Sequence, residues 1–150
     1  RDAWTAYRIG ESLMQINNFN DAFVFYQQAV MLAPFNLEFR NKYAIVLFNQ
    51  NKIQFAIDEL NFIINEDNNF TAAYNNLGYV YAYLGDYIKS LSYYNYALSL
   101  NPHHEPTLVN KAQLLLLENN LEDAFYYINK VLKLNPNNKD ALSLKKIHEI

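Results

Sequence analysis

Apolar and small residues recur along this chain in step. Large apolar side chains stand at Leu13, Leu47, Tyr81 and Leu115, and again at Tyr26, Leu60, Tyr94 and Ile128. Small ones stand at Gly10, Ala44, Gly78 and Ala112, and at Ala22, Ala56, Ser90 and Ala124. Within each set the interval is 34 residues. Two helices approach closely only where side chains are trimmed, and small facing large lets their surfaces interdigitate. The polar punctuation keeps the same interval. Asn17, Asn51, Gly85 and Asn119 are of the types that tolerate a left-handed backbone at a helix end. Phe19, Ile53, Tyr87 and Leu121 then open a second helix, which runs to Pro34, Asn68, Pro102 or Pro136. The pattern predicts helix pairs over 3–36, 37–70, 71–104 and 105–138, and a ninth helix over 139–150. One pair cannot bury its own apolar side and must stack on its neighbours, so the fold class is an all-α solenoid.

These residues together resemble the tetratricopeptide-repeat (TPR) family over essentially the whole chain. The third unit fits the family pattern most fully, through Tyr74, Leu77, Gly78, Tyr81, Gly85, Asp86, Tyr87, Ser90, Tyr94, Ala97 and Pro102. The departures are Arg40 where an aromatic is usual, Lys111 for Leu, Asn68 for Pro, and Ile63 and Val131 for Ala. They bear on packing detail rather than on the fold. The resemblance implies a right-handed superhelical solenoid of four helix-turn-helix repeats plus a C-terminal capping helix, forming one domain over 1–150. It also implies a non-enzymatic scaffold that binds a peptide or helix of a partner protein in a concave groove.

In the family the first helix of each pair lines that groove. The corresponding positions here include Tyr7, Arg8 and Glu11 in the first unit and Asn41, Lys42 and Ile45 in the second. The third unit contributes Asn75, Asn76, Tyr79 and Tyr83, and the fourth Asn110 and Gln113. Asn76 and Asn110 share one slot and Asn41 and Asn75 the slot beside it; amides that both donate and accept can bond the main chain of an extended peptide whatever its sequence. Tyr79 and Tyr83, four apart on one helix, share a face and form a rigid amphipathic floor. Against this stands a plainer reading, in which Asn and Tyr are abundant through compositional bias and the tyrosines pack between helices. Family members that clamp a terminal carboxylate use Lys and Asn on the first helix, Asn on the second, and Lys and Arg on the third, at slots held here by Tyr7, Glu11, Lys42, Ala72 and Asn76. That poor match disfavours such a ligand.

Charge and composition narrow the remaining classes. A formal net charge of −3 argues against a nucleic-acid groove, which needs a basic stripe. Leu114 to Leu117, like every other apolar run of the chain, is far too short to span a membrane. The chain has no cysteine, and the compartment stays open. His103 and His104 stand together beside Glu105, but a metal site needs three or four ligands in fixed geometry, so no cofactor or metal is expected. The paired acids Asp58-Glu59, Glu66-Asp67 and Glu122-Asp123 point about 100° apart on a helix and read as solvated faces. No phosphate loop or nucleophile elbow occurs, so an enzyme reading has no residues to rest on.

The ends carry their own expectations. Ala141, Leu142 and Ile147 would pack a terminal helix, with Lys139, Lys145, Lys146 and Glu149 facing solvent. Trp4, Tyr7 and Phe23 lie in a first unit with nothing before it, so an upstream domain or a second copy should cover them. The opening Arg1-Asp2, without Met, is expected of a piece of a longer protein. The alternative function is therefore structural: self-association through the N-terminal repeat or through outer aromatics such as Phe25, Tyr93 and Tyr127.

Overall fold

The computed structural model describes residues 2–148. Among these residues the chain forms nine α-helices and no strand. They are α1 (Ala3–Gln15), α2 (Phe19–Leu32), α3 (Leu37–Asn49), α4 (Ile53–Glu66), α5 (Thr71–Tyr83), α6 (Tyr87–Leu100), α7 (Glu105–Leu117), α8 (Leu121–Leu134) and α9 (Lys139–His148). The architecture is an all-α repeat. Asn17, Asn51, Asn119 and Gly85 have φ of 59°, 61°, 59° and 84°, which turns the chain sharply between the helices of each pair. The next residue but one then opens the second helix.

Several of the many asparagines have local work, beyond compositional bias. The side chains of Asn18, Asn36 and Asn120 accept the backbone N–H of Asp21, Phe39 and Asp123 and so cap α2, α3 and α8. Asp86 caps α6 in the same way. The stops after α4, α6 and α8 also depend on a residue that precedes the proline slot. Asp67, Asn101 and Asn135 accept the N–H two residues on, at 3.0, 3.2 and 3.1 Å. That Asx turn bends the chain away whether Pro or Asn68 follows.

The chain divides into two compact units, residues 1–76 and 77–150. In the first, Ala6, Tyr7, Ala22, Tyr26, Ala29, Val30, Phe39 and Val46 form a buried core. A Cβ added at Gly10 would stand 2.9 Å from the Tyr26 ring, so the notch is filled by that tyrosine. Tyr7 stacks on Phe39 at 4.8 Å between centroids, and Phe23 packs against Tyr43. The expectation that Tyr7 and Phe23 need an outside cover is thus corrected: α3 supplies it. Trp4 meets Phe39 edge-on and stays half exposed.

In the second unit Leu108, Val109, Ala112, Ile128, Val131 and Ala141 form the core. Ser90, wholly buried, donates to the Gly78 carbonyl at 2.6 Å, and the Tyr94 ring fills the notch at Gly78. On α9 the packing residues are Ala141 and Leu144, whereas Leu142 and Ile147 are exposed, against expectation. The reason is helical phase: 141 and 144 share the face turned to the core, and 142 and 147 do not. Glu149 lies outside the described residues. Tyr93 stacks on Tyr81 at 5.7 Å and Tyr127 meets Tyr126 edge-on, so with half-buried Phe25 these aromatics are largely used within the chain.

Two of the departures are absorbed by new contacts. Arg40 lies over the Phe62 ring at 3.8 Å while its guanidinium donates to the Pro34 carbonyl at 2.5 Å and to Glu59 at 2.7 Å. Glu59 is therefore half-buried and ion-paired, not part of a solvated face. Lys111 donates to Asn95 at 2.7 Å and to the Tyr127 hydroxyl at 2.8 Å.

Candidate functional site

The first helices of the first unit present a connected polar surface. Tyr7 on α1 donates its hydroxyl to Glu38 on α3 at 3.0 Å. Glu11 accepts the Tyr26 hydroxyl at 2.6 Å and lies 3.6 Å from the Lys42 ammonium. Asn76, at the end of this unit's share of α5, donates its amide to the side-chain Oδ1 of Asn41 at 2.8 Å. Three successive first helices are thus tied through the residues that their slots place side by side.

Burial, then the carboxylates of Glu38 and Glu11, push the Tyr7 hydroxyl far above its usual range. Burial and Glu11 do the same for Tyr26. Both phenols stay protonated and act as donors that aim two carboxylates. Sequence reasoning assigned Tyr26 to packing alone. Its one available signal was that a buried tyrosine hydroxyl needs a partner.

The remaining candidates differ in access. Asn41 and Asn75 are buried, Ile45 and Asn76 half-buried, and Arg8 exposed. Arg8 also borders a cleft of about 430 Å³ with Thr5, Ile9, Ser12 and Leu13. In the second unit Tyr79 and Tyr83 are 48% and 60% exposed. Asn110 is half-buried and Gln113 exposed. Asn110 borders a cleft of about 370 Å³ with Glu105, Pro106, Val109, Asn138 and Asp140.

The histidine pair does local work. His104 is the N-cap residue of α7, with its Nδ1 2.7 Å from the Thr107 hydroxyl, and Glu105 accepts from Asn135 and Asn138 at 3.1 Å each. Among the described residues no three His, Cys, Asp or Glu side chains gather as a metal site would require. Burial lowers the His104 pKa. The unfolded chain therefore takes up this proton first as pH falls, and the stability present above the usual value of about 6.5 is lost below it. Acidification from about pH 7.5 to about 5.5 should lower the melting temperature more in the wild type than in His104→Asn, whose side chain does not titrate. Parallel curves for the two proteins would contradict this.

Comparison with known proteins agrees with this fold. The family model "Tetratricopeptide repeat" matches residues 5–36, 71–104 and 106–138. A thermophilic TPR protein from Thermus thermophilus superposes with a TM-score of 0.89 at 16% identity, over 97% of this chain and 81% of that one. YrrB, described as a TPR protein with an unusual peptide-binding site, superposes at 0.70 with 21% identity, over 96% and 74%. A stretch of 77 residues, 50% of the chain, is 38% identical to the uncharacterized protein ycf37 of Pyropia yezoensis. That stretch spans 43% of the relative's length.

Proposed function

The chain belongs to the tetratricopeptide-repeat family, whose fold mediates protein–protein interaction, and from that premise we propose that it is a non-enzymatic scaffold holding an extended or helical segment of a partner protein. The segment lies on the first-helix faces, through Tyr7, Arg8, Glu11, Asn41, Lys42, Ile45, Asn75 and Asn76 of the first unit. The second unit offers Tyr79, Asn110 and Gln113 in the same slots, with Tyr83 one turn beyond Tyr79. The observation that carries this reading is the tie between successive first helices, Tyr7 to Glu38, Glu11 to Lys42 and Asn41 to Asn76. Groups already held in place lose little freedom when a ligand arrives, which favours binding.

The test is affinity capture with the wild type beside Asn41→Ala/Asn76→Ala/Asn110→Ala, read by mass spectrometry. The triple variant should fold, and its partner segment should bind more weakly by about 0.5–1.5 kcal/mol per lost hydrogen bond. Equal affinity would remove the asparagines from recognition.

A second reading, self-association through α1, has its own observation in the cleft beside Arg8 and the 70% exposed Ile16. Mass that rises with protein concentration, and is abolished by Ile16→Asp, would favour it over the first reading.

A further inference from the structure

A second candidate site lies apart from the first-helix faces, on α8 of the second unit. His103, Tyr126, Asn129, Lys130, Lys133 and Leu134 enclose a cleft of about 680 Å³. Positions 126, 129, 130 and 133 follow the helical repeat along one face. His103 reaches the same cleft from the connector before α7.

The chemistry of the cleft is amphipathic. Tyr126 is 60% exposed and Leu134 43%, so an aromatic ring and an aliphatic side chain stand uncovered. Lysine stems extend apolar surface while their ammonium groups stay at the rim. Neither Lys130 nor Lys133 forms an ion pair among the described residues, whereas Arg40 and Lys42 do.

The distribution of charge indicates which ligand the cleft suits. Residues 126–150 carry five lysines and two acids, while residues 1–125 carry seven basic residues and thirteen acids. This basic stretch sits on an otherwise acidic chain, and charge complementarity of that kind selects partners and speeds encounter. A membrane surface is the poorer match. Attraction to anionic lipid takes a cluster of roughly four to eight cations on an exposed face, and only two border this hollow.

We infer that the α8 cleft docks an acidic segment of a partner protein, whose apolar side chain enters between Tyr126 and Leu134 while its carboxylates meet Lys130 and Lys133. The partner so held is distinct from the segment on the first-helix faces, which lets the scaffold join two ligands.

The test is a titration of the isotope-labelled chain, followed by NMR, with a synthetic capped peptide of alternating Asp and Glu around one central Phe. Resonances of His103, Tyr126, Asn129, Lys130, Lys133 and Leu134 should shift together. Lys130→Glu/Lys133→Glu should weaken binding by about tenfold or more, and Lys130→Gln/Lys133→Gln by less, because reversal adds repulsion where neutralisation only removes attraction. Replacing the peptide's Phe by Ser should also weaken it. Unchanged melting midpoints would confirm that both protein variants fold, and the neutral variant serves alone if the charge-reversed one does not. Shifts centred elsewhere, equal affinity for wild type and the neutral variant, or indifference to the Phe would overturn the proposal. So would binding to phosphatidylserine vesicles through these residues without binding to the peptide.

Discussion

Tyr94→Ala is expected to destabilise the chain by about 3–5 kcal/mol, the cost of emptying a buried aromatic site, which lowers the melting temperature by about 10 °C. The ring is 1% exposed and fills the notch that Gly78 leaves in α5. A Cβ at Gly78 would stand 2.5 Å from two of its ring carbons. Gly78→Ala alone should therefore cost up to about 2 kcal/mol, since overpacking of about 1–3 outweighs the gain of about 1 from replacing a helical glycine. The sign should reverse in the Tyr94→Ala background. There the ring clash is gone, leaving a 3.2 Å approach to the Ser90 carbonyl oxygen, and Gly78→Ala should stabilise by up to about 1 kcal/mol. Denaturant midpoints for the four proteins of this cycle measure the coupling directly. A Gly78→Ala effect of one sign in both backgrounds would show that ring and notch do not determine each other.

Arg40→Ala should cost about 2–4 kcal/mol, more than an exposed ion pair is worth. The guanidinium ties the connector at Pro34 to Glu59 on α4 and covers Phe62. Removing it strands a half-buried carboxylate and an unpaired carbonyl and uncovers the ring. Lysine is a poor substitute, because one ammonium on a flexible stem cannot form the forked pair and lie flat on the ring at once. Arg40→Lys should thus recover less than half of the loss. Thermal melts of the two variants check this, and full recovery by lysine would show that charge alone matters at this position.

How far each feature could be read from sequence follows from how local its cause is. The openings of α2, α4, α6 and α8 were legible because a left-handed Asn or Gly and an apolar residue repeat in step. The roles of Gly10 and Gly78 were legible because their large partners recur at the same interval. The terminal helix was misread at Leu142 and Ile147, since no repeat copy of α9 exists against which to set its phase. Arg40 read as a departure because its three partners, on the connector and α4, come together only in the fold.

The candidate site divides the same way. Family slots brought Tyr7, Glu11, Asn41, Lys42 and Asn76 to notice. The bonds between them join residues a whole repeat apart, and nothing in the spacing says that Tyr7 finds Glu38 or that Tyr26 finds Glu11. Nor did the period draw attention to Lys130 and Lys133, whose slots carry no family pattern.

The central claim is that a partner lies on the first-helix face. It is tested most directly by photo-crosslinking, with a photoreactive amino acid placed at Arg8, exposed on that face, or at Phe55, 64% exposed on α4. The account predicts adducts with a partner protein from position 8 and none from position 55. Adducts from position 55 alone, or only dimers of the chain itself from position 8, would contradict it.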